Sequence, residues 1–75
     1  MATLQERYFE VLLHRARNDR YPSGQMLDRI ERALGTSEQV TEYVEMLVDK
    51  VDETWYPSGQ MLDRIQRVLE HVAAA

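Results

Sequence analysis

The chain has 75 residues, 44% of them apolar and 29% charged, with a net charge of −4; this is the composition of one small globular domain rather than of a disordered segment. With no cysteine, disulfide staples and thiolate metal sites are excluded. Uninterrupted apolar runs such as Val11-Leu12-Leu13 are only a few residues long, against the roughly 20 of a membrane span and the roughly 7–15 of a signal-peptide core, so the expected location is cytoplasmic with no membrane partner.

In chain order, Thr3 and Glu6 have the spacing of a capping box. Leu4, Tyr8, Val11, Leu12 and Ala16 then recur at helical intervals, with Phe9 and Leu13 widening the stripe. This predicts a helix over 4–18, ended by Pro22, which disfavours helix at the residue before it and lacks an amide donor. Ser23 is the expected N-cap of a second helix over 24–34, with Met26, Leu27, Ile30 and Leu34 inward and Gly35 as a left-handed terminator. Thr36 and Gln39 form another capping box and open a third helix over 37–54, whose stripe is Val40, Tyr43, Val44, Leu47, Val48 and Val51. A fourth helix over 59–72, N-capped by Ser58, carries Met61, Leu62, Ile65, Val68, Leu69 and Val72. The expected core is Leu4, Tyr8, Val11, Leu12, Met26, Leu27, Ile30, Leu34, Val40, Tyr43, Val44, Leu47, Val48, Val51, Met61, Leu62, Ile65 and Leu69.

Residues 21–30 read Tyr-Pro-Ser-Gly-Gln-Met-Leu-Asp-Arg-Ile, and residues 56–65 read the same ten letters, at an offset of 35. Such self-similarity marks a repeated structural unit. Outside the decapeptide five of the 25 aligned positions agree: Tyr8 with Tyr43, Glu10 with Glu45, Leu12 with Leu47, Arg32 with Arg67 and Leu34 with Leu69. Leu13/Val48, Arg15/Lys50 and Ala16/Val51 are conservative pairs. The chain therefore divides into unit one (1–35), unit two (36–72) and a tail (73–75). Two helical hairpins with short loops predict an all-α fold: a four-helix bundle with internal pseudo-twofold symmetry.

Within the decapeptide, Gln25/Gln60, Asp28/Asp63 and Arg29/Arg64 lie off the apolar face. Three accounts are open for them. The acids can pair locally with Arg32 and Arg67 four residues on. Asp28 can pair with Arg64 and Asp63 with Arg29 across the pseudo-axis. The six can also form a duplicated binding surface. Gly24 and Gly59, poor helix formers, suggest a close approach or special dihedral at each helix start.

No motif for catalysis stands out: there is no phosphate loop, cysteine nucleophile or nucleophile elbow, and Ser23 and Ser58 are accounted for as caps. His14 and His71 lack the convergent ligands that a metal site requires, so no cofactor and no metal are expected. Charge is uneven: residues 1–35 sum to +1 and residues 36–75 to −5. Arg15, Arg17 and Arg20 on the first unit face diverged counterparts, since Arg17 aligns with Asp52, His14 with Asp49 and Asn18 with Glu53. Docking a basic first helix on an acidic third helix, between two copies or within one, would use that complementarity. The expected function is a non-enzymatic protein-interaction module, a small adaptor or regulator, whose partner is another protein or a second copy. Its candidate surface is Gln25, Asp28, Arg29, Gln60, Asp63, Arg64, Arg15, Arg17, Arg20, Asp49, Asp52 and Glu53. Two alternatives stand beside it. A DNA-binding regulator would use Arg15, Arg17, Arg20, Arg29 and Arg32, against which Asp28 and Glu31 would repel phosphate. The other is a small-ligand or metal-binding bundle, for which Tyr8, Phe9, Tyr43, Trp55 and Tyr56 would line a ligand pocket, though they are more simply packing anchors.

Overall fold

The computed structural model describes residues 3–20, 22–53 and 59–74, with side chains up to His71. Four helices run in order, α1 (Leu4–Asn18), α2 (Gly24–Arg32), α3 (Ser37–Glu53) and α4 (Gly59–Ala74), and the described residues include no strand. The chain is all-α. α1 packs against α2, α3 against α4, and α1 against α3. No helix among the described residues is long and apolar enough to cross a membrane. The expectations for Tyr21, Trp55, Tyr56, the Ser58 cap and the Val72 side chain fall outside the described residues.

The helix starts follow from local hydrogen bonds. Thr3 Oγ1 accepts from the Glu6 amide at 3.1 Å and donates to Glu6 Oε1 at 3.3 Å. Ser23 Oγ accepts from the Met26 amide at 3.1 Å. At α3 the box is reciprocal: Thr36 Oγ1 accepts from the Gln39 amide at 3.1 Å, and Gln39 Oε1 accepts from the Thr36 amide at 3.2 Å and the Gly35 amide at 2.8 Å. Each bond to a backbone amide satisfies a donor that the helix leaves without a partner.

Gly35 is not the left-handed terminator expected. α2 stops at Arg32, the Ala33 amide still donates to the Arg29 and Ile30 carbonyls, and no glycine has a positive φ. The turn is closed from its far side instead, because Gln39 reaches back to hold the Gly35 amide, so a left-handed residue is not needed there. Nor does a special dihedral explain Gly24 and Gly59. Gly24 is a close approach, where an added Cβ would lie 3.3 Å from Arg64 Nη2, whereas nothing lies within 4 Å at Gly59.

The core is Phe9, Leu12, Leu13 and Ala16 of α1, Leu27 and Ile30 of α2, Ala33, and Tyr43, Met46 and Leu47 of α3. Met26, Leu34, Met61, Ile65 and Val68 pack partly buried against it. Val40, Val44 and Val51 are half-buried. Six expected core residues are exposed: Leu4 (84%), Tyr8 (49%), Val11 (50%), Val48, Leu62 and Leu69. On α1 the cause is phase. At about 100° per residue, Leu4, Tyr8 and Val11 centre about 120° around the helix from Phe9, Leu12, Leu13 and Ala16, and α2 and α3 cover only the second arc. On α4 the cause is position. It has α3 on one side and buries no described side chain fully, so Leu62 is exposed although its repeat counterpart Leu27 is buried.

Candidate functional site

A polar cluster joining three helices centres on Glu31, at the end of α2. Tyr43, fully buried on α3, donates its hydroxyl to Glu31 Oε2 at 2.6 Å. Arg64 of α4 donates Nη1 to the same oxygen at 2.6 Å and to Asp28 Oδ1 at 2.8 Å, and Nη2 to the Gly24 carbonyl at 3.3 Å. Arg67 Nη2 stands 3.7 Å from Glu31 Oε1. One carboxylate thus joins α2, α3 and α4. Burial, followed by the Glu31 hydrogen bond, drives the Tyr43 hydroxyl far above its ordinary range, keeping it a donor. Partial burial opposes the charge on Arg64, but its bonds to Asp28 and Glu31 outweigh that and hold the guanidinium above its ordinary value. The Arg64 side chain is only 15% exposed, so it serves within the chain rather than on an open surface.

Half of the expected cross-axis pairing is present. Asp28 meets Arg64, but among the described residues no ion pair joins Asp63 to Arg29, and the local pairs Asp28–Arg32 and Asp63–Arg67 do not form. Glu31 was not among the candidate residues. Its signal lay in the repeat: the position right after the shared decapeptide is Glu31 in unit one and Gln66 in unit two, so only one unit carries the acid that both arginines seek.

The other candidates lie apart from this cluster. Gln25 and Arg29 on α2, and Gln60 and Asp63 on α4, are exposed. Arg15 lines a hollow between α1 and α2 with His14, Asn18 and Met26. Arg17 of α1 and Asp49 and Glu53 of α3 share a small depression with Met46 and Lys50, so basic α1 and acidic α3 already face each other within one chain. Asp52 and Arg20 are exposed and do not line that depression. Lys50, aligned with exposed Arg15, is buried, and its Nζ donates to the Arg17 carbonyl at 2.6 Å and the Asp19 carbonyl at 2.7 Å. His14 is exposed, with its carbonyl accepting from Asn18 Nδ2 at 2.9 Å. Among the described residues no three His, Cys, Asp or Glu side chains converge as metal ligands.

Where α1 meets α3, Glu42 faces Glu10. Partial burial first, and then the Glu10 carboxylate, raise the Glu42 carboxyl above its ordinary value of 4.5, with Arg17 opposing. A raised carboxyl favours the protonated folded state. Its contribution to stability is therefore present below pH 4.5 and is lost as pH rises through the elevated value. Glu42→Gln removes that loss. The variant is expected to melt about 1–3 °C above the parent at pH 7, as relief of a like-charge surface pair of a few tenths of a kcal/mol implies, and to melt with the parent near pH 4. Thermal melts at the two pH values check this.

No family model matches the chain, and comparison with curated proteins and with solved structures likewise gives no match.

Proposed function

We propose that the chain is a non-enzymatic protein-interaction module, a small adaptor or regulator acting in the cytoplasm, whose partner is another protein, a second copy being the simplest case. In this reading its architecture is a four-helix bundle of two tandem hairpins, residues 1–35 and 36–72, about an approximate twofold axis. The packing of α1 on α2 and α3 on α4, joined through α1 and α3, supports that arrangement. So do the matched helix starts at Gly24 and Gly59.

The observation that carries the functional reading is the exposed stripe of Leu4, Tyr8 and Val11 along α1. A single exposed leucine is ordinary, but an aligned apolar stripe on a domain this small marks a contact surface. Leu62 and Leu69, about two turns apart, give α4 an exposed apolar line of its own. Sedimentation across a range of concentrations tests the reading on the parent and on the double variant Leu4→Glu, Val11→Glu. The parent is expected to gain mass with concentration and the variant to stay monomeric with unchanged helical circular dichroism. A parent that stays monomeric and captures no protein that the double variant fails to capture would overturn it.

A second reading, a small-ligand bundle, rests on the cleft of about 530 Å³ lined by Leu34, Val40, Val68, Glu31, Arg67 and His71, a volume within the range of ligand pockets. A rise in melting temperature with a bound small molecule would favour it.

A further inference from the structure

Unit two contains a working carboxylate receptor: Tyr43, Arg64 and Arg67 surround Glu31 with one hydroxyl and two guanidinium groups. Thirty-five residues earlier the same residue types stand at Tyr8, Arg29 and Arg32. These three side chains, with Gln5 and Ala33, line a surface cleft of about 280 Å³ between α1 and α2. Tyr43 is buried in the apolar core with its hydroxyl on Glu31, whereas Tyr8 is half exposed. Among the described residues no carboxylate lies within ion-pair distance of Arg29 or Arg32. The repeat counterpart of Glu31 is Gln66, which is neutral, exposed on α4, and does not line the cleft. Two arginines and a tyrosine thus line a hollow that holds no carboxylate among the described residues, in a combination that the chain uses elsewhere to hold an acid.

A complementary surface lies on α3. At about 100° per residue, Glu38, Glu45, Asp49 and Asp52 fall within about 60° of one another, and all four are exposed, Asp49 at the same time lining the depression that it shares with Arg17 of α1. Unit one is net positive and unit two strongly negative, so two copies can bring the first unit of one to the second unit of the other, each supplying both surfaces, as a twofold dimer requires. We infer that the Tyr8–Arg29–Arg32 cleft is a receptor for a carboxylate side chain from the acidic edge of α3 of a second copy of this chain. This rests on the interaction-module reading and adds to it a polar lock beside the Leu4–Tyr8–Val11 stripe, with Tyr8 common to both. Charge-assisted bonds to paired arginines give such a lock direction that an apolar stripe lacks.

The test is a double-mutant cycle on self-association, read by sedimentation. Arg29→Gln with Arg32→Gln is expected to weaken dimerisation about tenfold or more, the scale of losing a buried charged anchor. Glu45→Gln with Asp49→Asn and Asp52→Asn should weaken it comparably, and the combined variant should be no weaker than the worse of the two, as for groups that contact each other. Added salt should weaken the parent dimer and have little effect on the combined variant. Full additivity of the two sets, or an Arg29/Arg32 variant that dimerises like the parent, overturns the inference while leaving the apolar stripe in place. A parent that is monomeric at every concentration also overturns it. If Leu4→Glu with Val11→Glu abolishes association and the arginine variant does not, the interaction reading stands and the carboxylate receptor falls.

Discussion

Phe9→Ala is expected to lower the unfolding free energy by about 3–5 kcal/mol, the usual loss for a fully buried aromatic, while Tyr8→Ala, one residue away, costs no more than about 1 kcal/mol. Phe9 has no exposed surface, and Tyr8 is half exposed on another arc of α1. A domain of this length has a total stability of about 4–11 kcal/mol at the usual 0.05–0.15 kcal/mol per residue, so the first change removes about a quarter of it or more. At about 4–8 °C per kcal/mol for domains of 60–100 residues, the melting temperature falls by at least about 12 °C. Denaturant and thermal melts followed by circular dichroism check the pair. Equal losses for Tyr8→Ala and Phe9→Ala would mean that α1 presents a different face to α2 and α3.

That contrast marks where the sequence is informative and where it is not. The helices and their starts were legible because caps are local: Thr3, Ser23, Thr36 and Gln39 act on amides three or four residues away. α1 ends at Asn18, as expected, with Asp19 extended. The phase of α1 was not legible, because apolar residues cover two adjacent arcs and only the neighbouring helices decide which one is buried. Leu4, Tyr8 and Val11 satisfy the same helical spacing as Phe9, Leu12, Leu13 and Ala16. The repeat was a good guide to helix position and a poor guide to burial. Leu27 is buried and Leu62 exposed from identical decapeptides, because α2 borders the core of α1 and α3 while α4 lies against α3. Symmetry anticipated the Arg64–Asp28 bond but missed the acid at its centre, since Glu31 stands just beyond the repeated segment. The Tyr8–Arg29–Arg32 cleft is not legible in the sequence for the same reason: its meaning depends on what Tyr43, Arg64 and Arg67 hold.

Lys50→Met should be the most damaging change at a charged residue, at about 2–3 kcal/mol. The conservative match of Lys50 with Arg15 gives no hint of this, since Arg15 is exposed and Lys50 is 8% exposed. The difference lies in what the ammonium reaches. The last carbonyls of a helix have no partner within it, and its C-terminal end carries partial negative charge. Lys50 crosses from α3 to that end of α1 and donates to the Arg17 and Asp19 carbonyls. Methionine keeps most of the apolar stem but leaves both carbonyls without that donor; hydrogen bonds to charged groups contribute about 1.5–3 kcal/mol each, and an unpaired buried acceptor costs about 1–3 kcal/mol, so loss of the pair with partial rehydration falls in the stated range. Arg15→Met is the control and should stay within about 0.5 kcal/mol, as surface substitutions do. In hydrogen exchange, amides in the last turn of α1 should lose protection in the Lys50 variant before those of α2, because the change releases the α1 terminus from α3. If Lys50→Met matches the parent in both melting and exchange, the α1–α3 contact is held by the apolar core, and the ammonium bridge contributes nothing to the fold.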